Sequence, residues 1–131
     1  MKNLIRFICL SLCCFAFGFT AASQARQRVS FARRASSATV SGTVRGYAYR
    51  DYIVRASAGQ TLGVRLKSAN TYTVFTVFQP GGDNLEGAAE MDEFSGALPS
   101  NGDYVVRVMM MRAGARRPGS FANYSLTISI D

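Results

Sequence analysis

From Ala38 onward, polar and apolar positions alternate in short runs, and no stretch keeps a helical period. Residues 39–45 and 51–55 are β-branched or aromatic runs. In residues 60–66 the alternation is strict, with Leu62, Val64 and Leu66 on one face and Gly63 and Arg65 on the other. The closing run repeats it: Tyr124, Leu126, Ile128 and Ile130 point one way, and Ser125, Thr127 and Ser129 the other. Residues 94–98 and 104–111 read as two further strands. Residues 71–78 are apolar on both faces, which predicts a central strand covered on each side.

Turn signals separate these runs. They are Ala58-Gly59, Pro80-Gly81-Gly82 and Pro99-Ser-Asn-Gly-Asp103. Asn101-Gly102 is the pair that tolerates positive φ at both positions of a tight hairpin. The sum is an all-β chain of seven or eight strands. It predicts a single antiparallel β-sandwich, with jelly-roll or Greek-key connections, over residues 38–131. Residues 26–37 are rich in Arg, Ser and Ala and are expected to form a flexible basic arm, with one short strand around residues 29–32.

Residues 1–25 follow a different pattern. Lys2 and Arg6 precede the apolar run Phe7-Ile-Cys-Leu-Ser-Leu-Cys-Cys-Phe-Ala-Phe-Gly-Phe19, and small residues lead up to Ala25. This is the layout of a cleaved secretory signal peptide. The run is about 13 residues, short of the roughly 20 that span a bilayer, so no stable membrane insertion is expected. No Cys follows a small residue as a lipoprotein signal requires. Cleavage after Ala25 places the mature protein in a bacterial periplasm or outside the cell.

That assignment alters the composition. The full chain of 131 residues has 15 Lys+Arg, 8 Asp+Glu, three Cys and no His. Cleavage removes all three Cys and two cations, so the net charge falls from +7 to +5. No disulfide is left to staple the domain, and its stability must come from packing. Without His or Cys, the triad nucleophiles and imidazole or thiolate metal sites are excluded. Export argues against nucleic acid as the partner of the basic surface.

Other candidate chemistry is weak. The acidic stretch 83–93 does not match calcium-loop spacing, and Ala88-Ala89 supplies no ligand side chain. Met109, Met110 and Met111 alternate between faces and read as core filling rather than as a metal site. Asn123-Tyr124-Ser125 matches the glycosylation sequon, which carries little weight beside a bacterial leader. No metal, cofactor or catalytic residue is therefore expected. The more informative group is Tyr47, Tyr49 and Tyr52 together with Arg112, Arg116 and Arg117. Arg forms forked pairs with carboxylates, and Tyr gives rigid contact area, so the group suits a protein contact with an acidic partner.

Four stretches resemble the periplasmic inhibitors of g-type lysozyme. They are Ser41-Gly-Thr-Val-Arg-Gly-Tyr-Ala-Tyr-Arg-Asp-Tyr52, Ala58-Gly-Gln-Thr-Leu62, Leu98-Pro-Ser-Asn-Gly-Asp-Tyr-Val-Val-Arg107 and Arg112-Ala-Gly-Ala-Arg116. They occur in the family's order and, with the closing Tyr124 strand, span most of residues 38–130. Pre-peptidase C-terminal domains share the Gly-Gln, Pro-Gly and Gly-Asp-Tyr turns; the Arg-x-x-Ala-Arg loop is what distinguishes the inhibitors. The family's Ser-Gly-x-Tyr reads here with Asn101 at the serine position and Ser100 one place earlier, so either side chain could replace that serine.

The resemblance implies a non-enzymatic inhibitor whose partner is a g-type lysozyme. Arg112 and Arg116 would enter the peptidoglycan-hydrolase cleft, and Tyr47 would pack on its sugar-binding wall. Ser100, Asn101 and Tyr104 would shape a neighbouring hairpin. The alternative is a cell-surface or polysaccharide-binding module of the pre-peptidase C-terminal kind.

Overall fold

The computed structural model describes residues 25–131. The leader read in residues 1–25 thus lies outside the described residues, apart from Ala25. The alternating runs become β1 (Ala25–Arg28), β2 (Ser37–Arg45), β3 (Arg50–Ala56), β4 (Thr61–Ser68) and β5 (Thr73–Phe78). They continue as β6 (Glu93–Ala97), β7 (Gly102–Met110), one helical turn α1 (Arg112–Ala115) and β8 (Phe121–Ile130). Two four-stranded sheets face each other, in the orders β1-β3-β7-β5 and β2-β8-β4-β6. Successive strands from β2 to β8 always lie in opposite sheets, a jelly-roll interleaving. All pairings are antiparallel except that of β1 with β3, which is parallel.

The expected alternation decides which side chains meet between the sheets. Val54, Phe75, Tyr104, Val106 and Val108 from one sheet meet Leu62, Leu126 and Ile128 from the other, all fully buried. Tyr52 on β3 and Tyr124 on β8 cross this core hydroxyl to hydroxyl, 2.6 Å apart, with their rings edge to face at 84°. Each phenol thereby gives the other a partner away from water. Gly42 makes room for the pair, since a Cβ there would lie 2.5 Å from the Tyr124 oxygen.

Three local expectations are corrected. Asn101-Gly102 is not a hairpin turn, because β6 and β7 belong to different sheets. Gly102 alone takes a positive φ, of 139°, and the segment carries the chain across the sandwich. β5 is buried as expected yet sits at a sheet edge rather than in the centre. Its outer side is covered by the acidic segment, which pairs with it through Phe75 N–H to Met91 O, Val77 N–H to Ala88 O and Leu85 N–H to Val77 O. Burial on both faces reported cover, which an irregular segment supplies as well as a strand does.

The third concerns residues 26–37. The short strand there is β1, four residues earlier than expected, and it is a charged edge strand. Val29 follows it into the core, its N–H donating to Ile53 O at 2.9 Å, and Arg28 grips Asp103 through two hydrogen bonds of 3.1 and 3.0 Å. The start of the arm is therefore tied down.

Burial, and then the bond to Tyr52, hold the Tyr124 phenol well above the usual tyrosine range. A group whose folded value is raised stabilises fully below its unfolded value and loses that contribution as pH rises. Melting temperature should therefore fall above about pH 10. The fall should be shallower in Tyr124→Phe when melts are followed across alkaline pH with phenolate absorbance. An unchanged slope in that variant would contradict the assignment.

Candidate functional site

Two connections meet at one end of the sandwich. Arg45 at the end of β2 pairs with Phe121 at the start of β8, and Gly46 N–H donates to Ser120 O at 3.0 Å. This joins the 46–49 turn to the 111–120 loop. The positive φ of Gly46, 54°, turns the chain so that Tyr47 projects with 65% of its surface exposed.

The loop is a built turn. Gly114 and Ala115 N–H both donate to Met111 O at 2.9 Å, and Arg116 N–H donates to Arg112 O at 3.0 Å. Gly114 rests directly on Tyr72, where a Cβ would fall 2.5 Å from the Tyr72 Cβ. Arg112 and Arg116 stand four residues apart on this turn and so share a face. Both are exposed, and neither side chain has a hydrogen-bond or ion-pair partner among the described residues. Like charges at that spacing repel, a cost that the fold does not require.

Beneath the Tyr47 turn lies a different kind of arginine. Arg107 forks onto Asp51 of the neighbouring strand through Nε–Oδ1 at 2.8 Å and Nη2–Oδ2 at 3.0 Å. Its guanidinium stacks 3.8 Å from the Tyr49 ring centre and 5.0 Å from that of Phe78. The hydrogen bond to Asp51 raises the Arg107 pKa, against the opposing effect of burial. Arg107 is thus committed internally. Through Tyr49 it anchors the turn that carries Tyr47.

The remaining candidates lie elsewhere. β7 is nine residues long, roughly 27 Å at strand rise, and separates its two ends by that distance. Ser100, Asn101 and Tyr104 sit at the end opposite Tyr47, Arg112 and Arg116, so the expected neighbouring hairpin is corrected. Tyr104 is fully buried; its hydroxyl donates to Ser100 O at 2.7 Å and accepts from Ser100 N–H at 3.2 Å. This closes a tyrosine corner of the kind β-sandwiches use. The Ser100 hydroxyl is 3.3 Å from that of Tyr104, whereas Asn101 Oδ1 accepts from Ala58 N–H at 2.7 Å. These contacts lock the crossover to the β3–β4 turn.

Sequence reasoning missed Asp51, Arg107 and Phe121 at this end. Phe121 left a signal, because it is a large apolar side chain in the outward phase of an otherwise alternating strand. The Asp51–Arg107 pairing depends on β3 lying beside β7, which the sequence does not state. Among the described residues, no group of three or more acidic, His or Cys side chains could hold a metal ion. No helix there is long and apolar enough to cross a membrane.

Committed and uncommitted arginines should separate in a melting experiment. Asp51→Ala strands a half-buried guanidinium and should cost about 3 kcal/mol. Arg112→Ala and Arg116→Ala should each stay within about 0.5 kcal/mol of the parent.

No family model matches the chain. It is 33% identical over 109 residues to the inhibitor of g-type lysozyme from Escherichia coli (strain K12), an alignment covering 78% of each chain. The crystal structure of the periplasmic g-type lysozyme inhibitor of Aeromonas hydrophila superposes with a TM-score of 0.71 at 37% identity. It covers 82% of this chain and 96% of that one. The pre-peptidase C-terminal domain of a Bacillus anthracis collagenase covers 82% of this chain and 96% of its own, with a TM-score of 0.54. At 10% identity it shares the fold alone. By its match to the Escherichia coli inhibitor, the chain belongs to the family of g-type lysozyme inhibitors.

Proposed function

We propose that this chain inhibits a g-type lysozyme in the periplasm by seating the Arg112–Arg116 turn in the enzyme's substrate cleft. The observation that carries the proposal is the convergence of Tyr47, Arg112 and Arg116 on one end of the sandwich. All three are exposed, on connections pinned from beneath. A lysozyme cleft holds a catalytic carboxylate in a groove shaped for sugar rings. Two guanidiniums on one face of a turn suit such carboxylates, because a forked Arg–carboxylate contact strengthens when water is excluded. Tyr47 supplies a flat surface against the wall where a sugar ring would stack. The work is occupation of another enzyme's site, and it asks no catalysis of this chain.

Rigidity supports the reading. The turn is hydrogen-bonded within itself and seated on Tyr72, so little conformational freedom is lost on docking. Ser100, Asn101 and Tyr104 contribute through the sandwich's stability, at its far end.

Purified mature protein should suppress lysis of cell walls by g-type lysozyme at micromolar concentration, with c- and i-type enzymes as comparison arms. Failure against all three types sinks the proposal. Arg116→Ala should weaken inhibition by about 2 kcal/mol, roughly thirtyfold, at an unchanged melting temperature. A matching loss of stability would instead make Arg116 structural.

A further inference from the structure

The same end of the sandwich carries a second feature that the Arg112–Arg116 turn does not use. A cleft of about 610 Å³ opens between the β4–β5 turn and the 116–120 loop, with Tyr72, Arg117, Pro118 and Phe121 in its walls. Three of these residues belong to aromatic–guanidinium pairs. Arg117 lies 5.1 Å from the Tyr72 ring centre and donates from Nη2 to the Tyr72 hydroxyl at 3.0 Å. Arg45 lies 5.5 Å from the Phe121 ring centre, and Phe121 itself is 51% exposed. Asn70 fastens the two sides together, its Nδ2 donating to Phe121 O at 3.0 Å while its Oδ1 accepts from Tyr72 N–H at 3.0 Å.

The electrostatics are one-sided. No acidic side chain lines the cleft, and neither Arg117 nor Arg45 has an ion-pair partner among the described residues. A guanidinium held by an aromatic ring keeps most of its N–H groups free, already aimed and with part of its ordering cost met. A large exposed apolar ring beside such a cation is costly to leave in water and suits a partner that covers both.

We propose that this cleft is a second docking site for the lysozyme, taking an acidic segment from the rim of the enzyme's groove. Arg117 receives a carboxylate of that segment, and an apolar side chain beside the carboxylate covers Phe121. The proposal rests on the inhibitor reading above. It extends the interface from the inserted turn, through Gly114, to the adjoining loop. It also assigns partner selectivity to residues outside the Arg-x-x-Ala-Arg motif, since a rim segment differs between enzymes more freely than catalytic carboxylates do.

The test uses mature protein and a g-type lysozyme, reading the inhibition constant and the melting temperature together. Phe121→Ser and Arg117→Gln should each raise the inhibition constant at least about tenfold at an unchanged melting temperature. Pro118→Glu, an exposed change on the rim, places a repelling carboxylate at the cleft and should also weaken inhibition about tenfold. If Phe121→Ser or Arg117→Gln loses stability, Pro118→Glu decides. Parent-level inhibition by Pro118→Glu, or by folded Phe121→Ser and Arg117→Gln, overturns the second site while leaving the inserted turn intact. Parent protein that inhibits no g-type lysozyme overturns both.

Discussion

The hydroxyl contact between Tyr52 and Tyr124 is the joint on which the proposed binding end depends. It is a buried polar contact between the sheets, and it links β3 of one sheet to β8 of the other. Those strands begin where the Tyr47 turn ends and where the 111–120 loop ends. Fixing β3 against β8 therefore fixes the two connections against each other, and Gly46 N–H on Ser120 O completes the closure. With no Cys among the described residues, this spacing comes there from noncovalent contacts. An apolar pair at the same place would fill the volume but leave the sliding of one sheet on the other less specified, because dispersion is weakly directional.

The jelly-roll interleaving explains why so short a chain can divide its labour. Every connection from β2 to β8 crosses between sheets, and apart from the acidic segment along β5 they collect at the two ends. At one end the connections tie to each other: the Tyr104 corner, Asn101 on Ala58, and Arg28 on Asp103. At the other they present side chains outward. Arginine serves both purposes and is sorted by its partner. Arg28 and Arg107 are paired with carboxylates and belong to the fold. Arg45, Arg112, Arg116 and Arg117 are without carboxylate partners among the described residues and crowd one end.

Much of this was legible in the sequence, and what was not has a physical reason. Period-two alternation identified which face of β4 and β8 is buried, because only one face of each meets the opposite sheet. The exposure of Tyr47, Arg112 and Arg116 is legible, since Gly-rich connections run over the surface. Sheet order was not legible. Asn101-Gly102 carries the local preference of a hairpin, but here the Asn side chain is spent on Ala58 and only the glycine takes a positive φ. That is why Ser100, Asn101 and Tyr104 were grouped with residues that lie a strand length away. The burial of β5 is legible and its cause is not, because the acidic segment that covers its edge has no alternation of its own.

A binding end assembled in this way can change without unfolding the protein. Arg112 and Arg116 take part in no internal ion pair, so replacing them removes no native contact that the sandwich needs. The groups that aim them are backbone hydrogen bonds and Gly114 against Tyr72, and these tolerate almost any side chain on the outer face of the turn. Tyr47 is similar, for its turn is held by Tyr49 on Arg107 and not by Tyr47 itself. In the proposed interface, affinity for the partner and stability of the fold therefore rest on separate residues. A protein that must follow a changing enzyme surface can alter its exposed residues while its core and far end stay as they are.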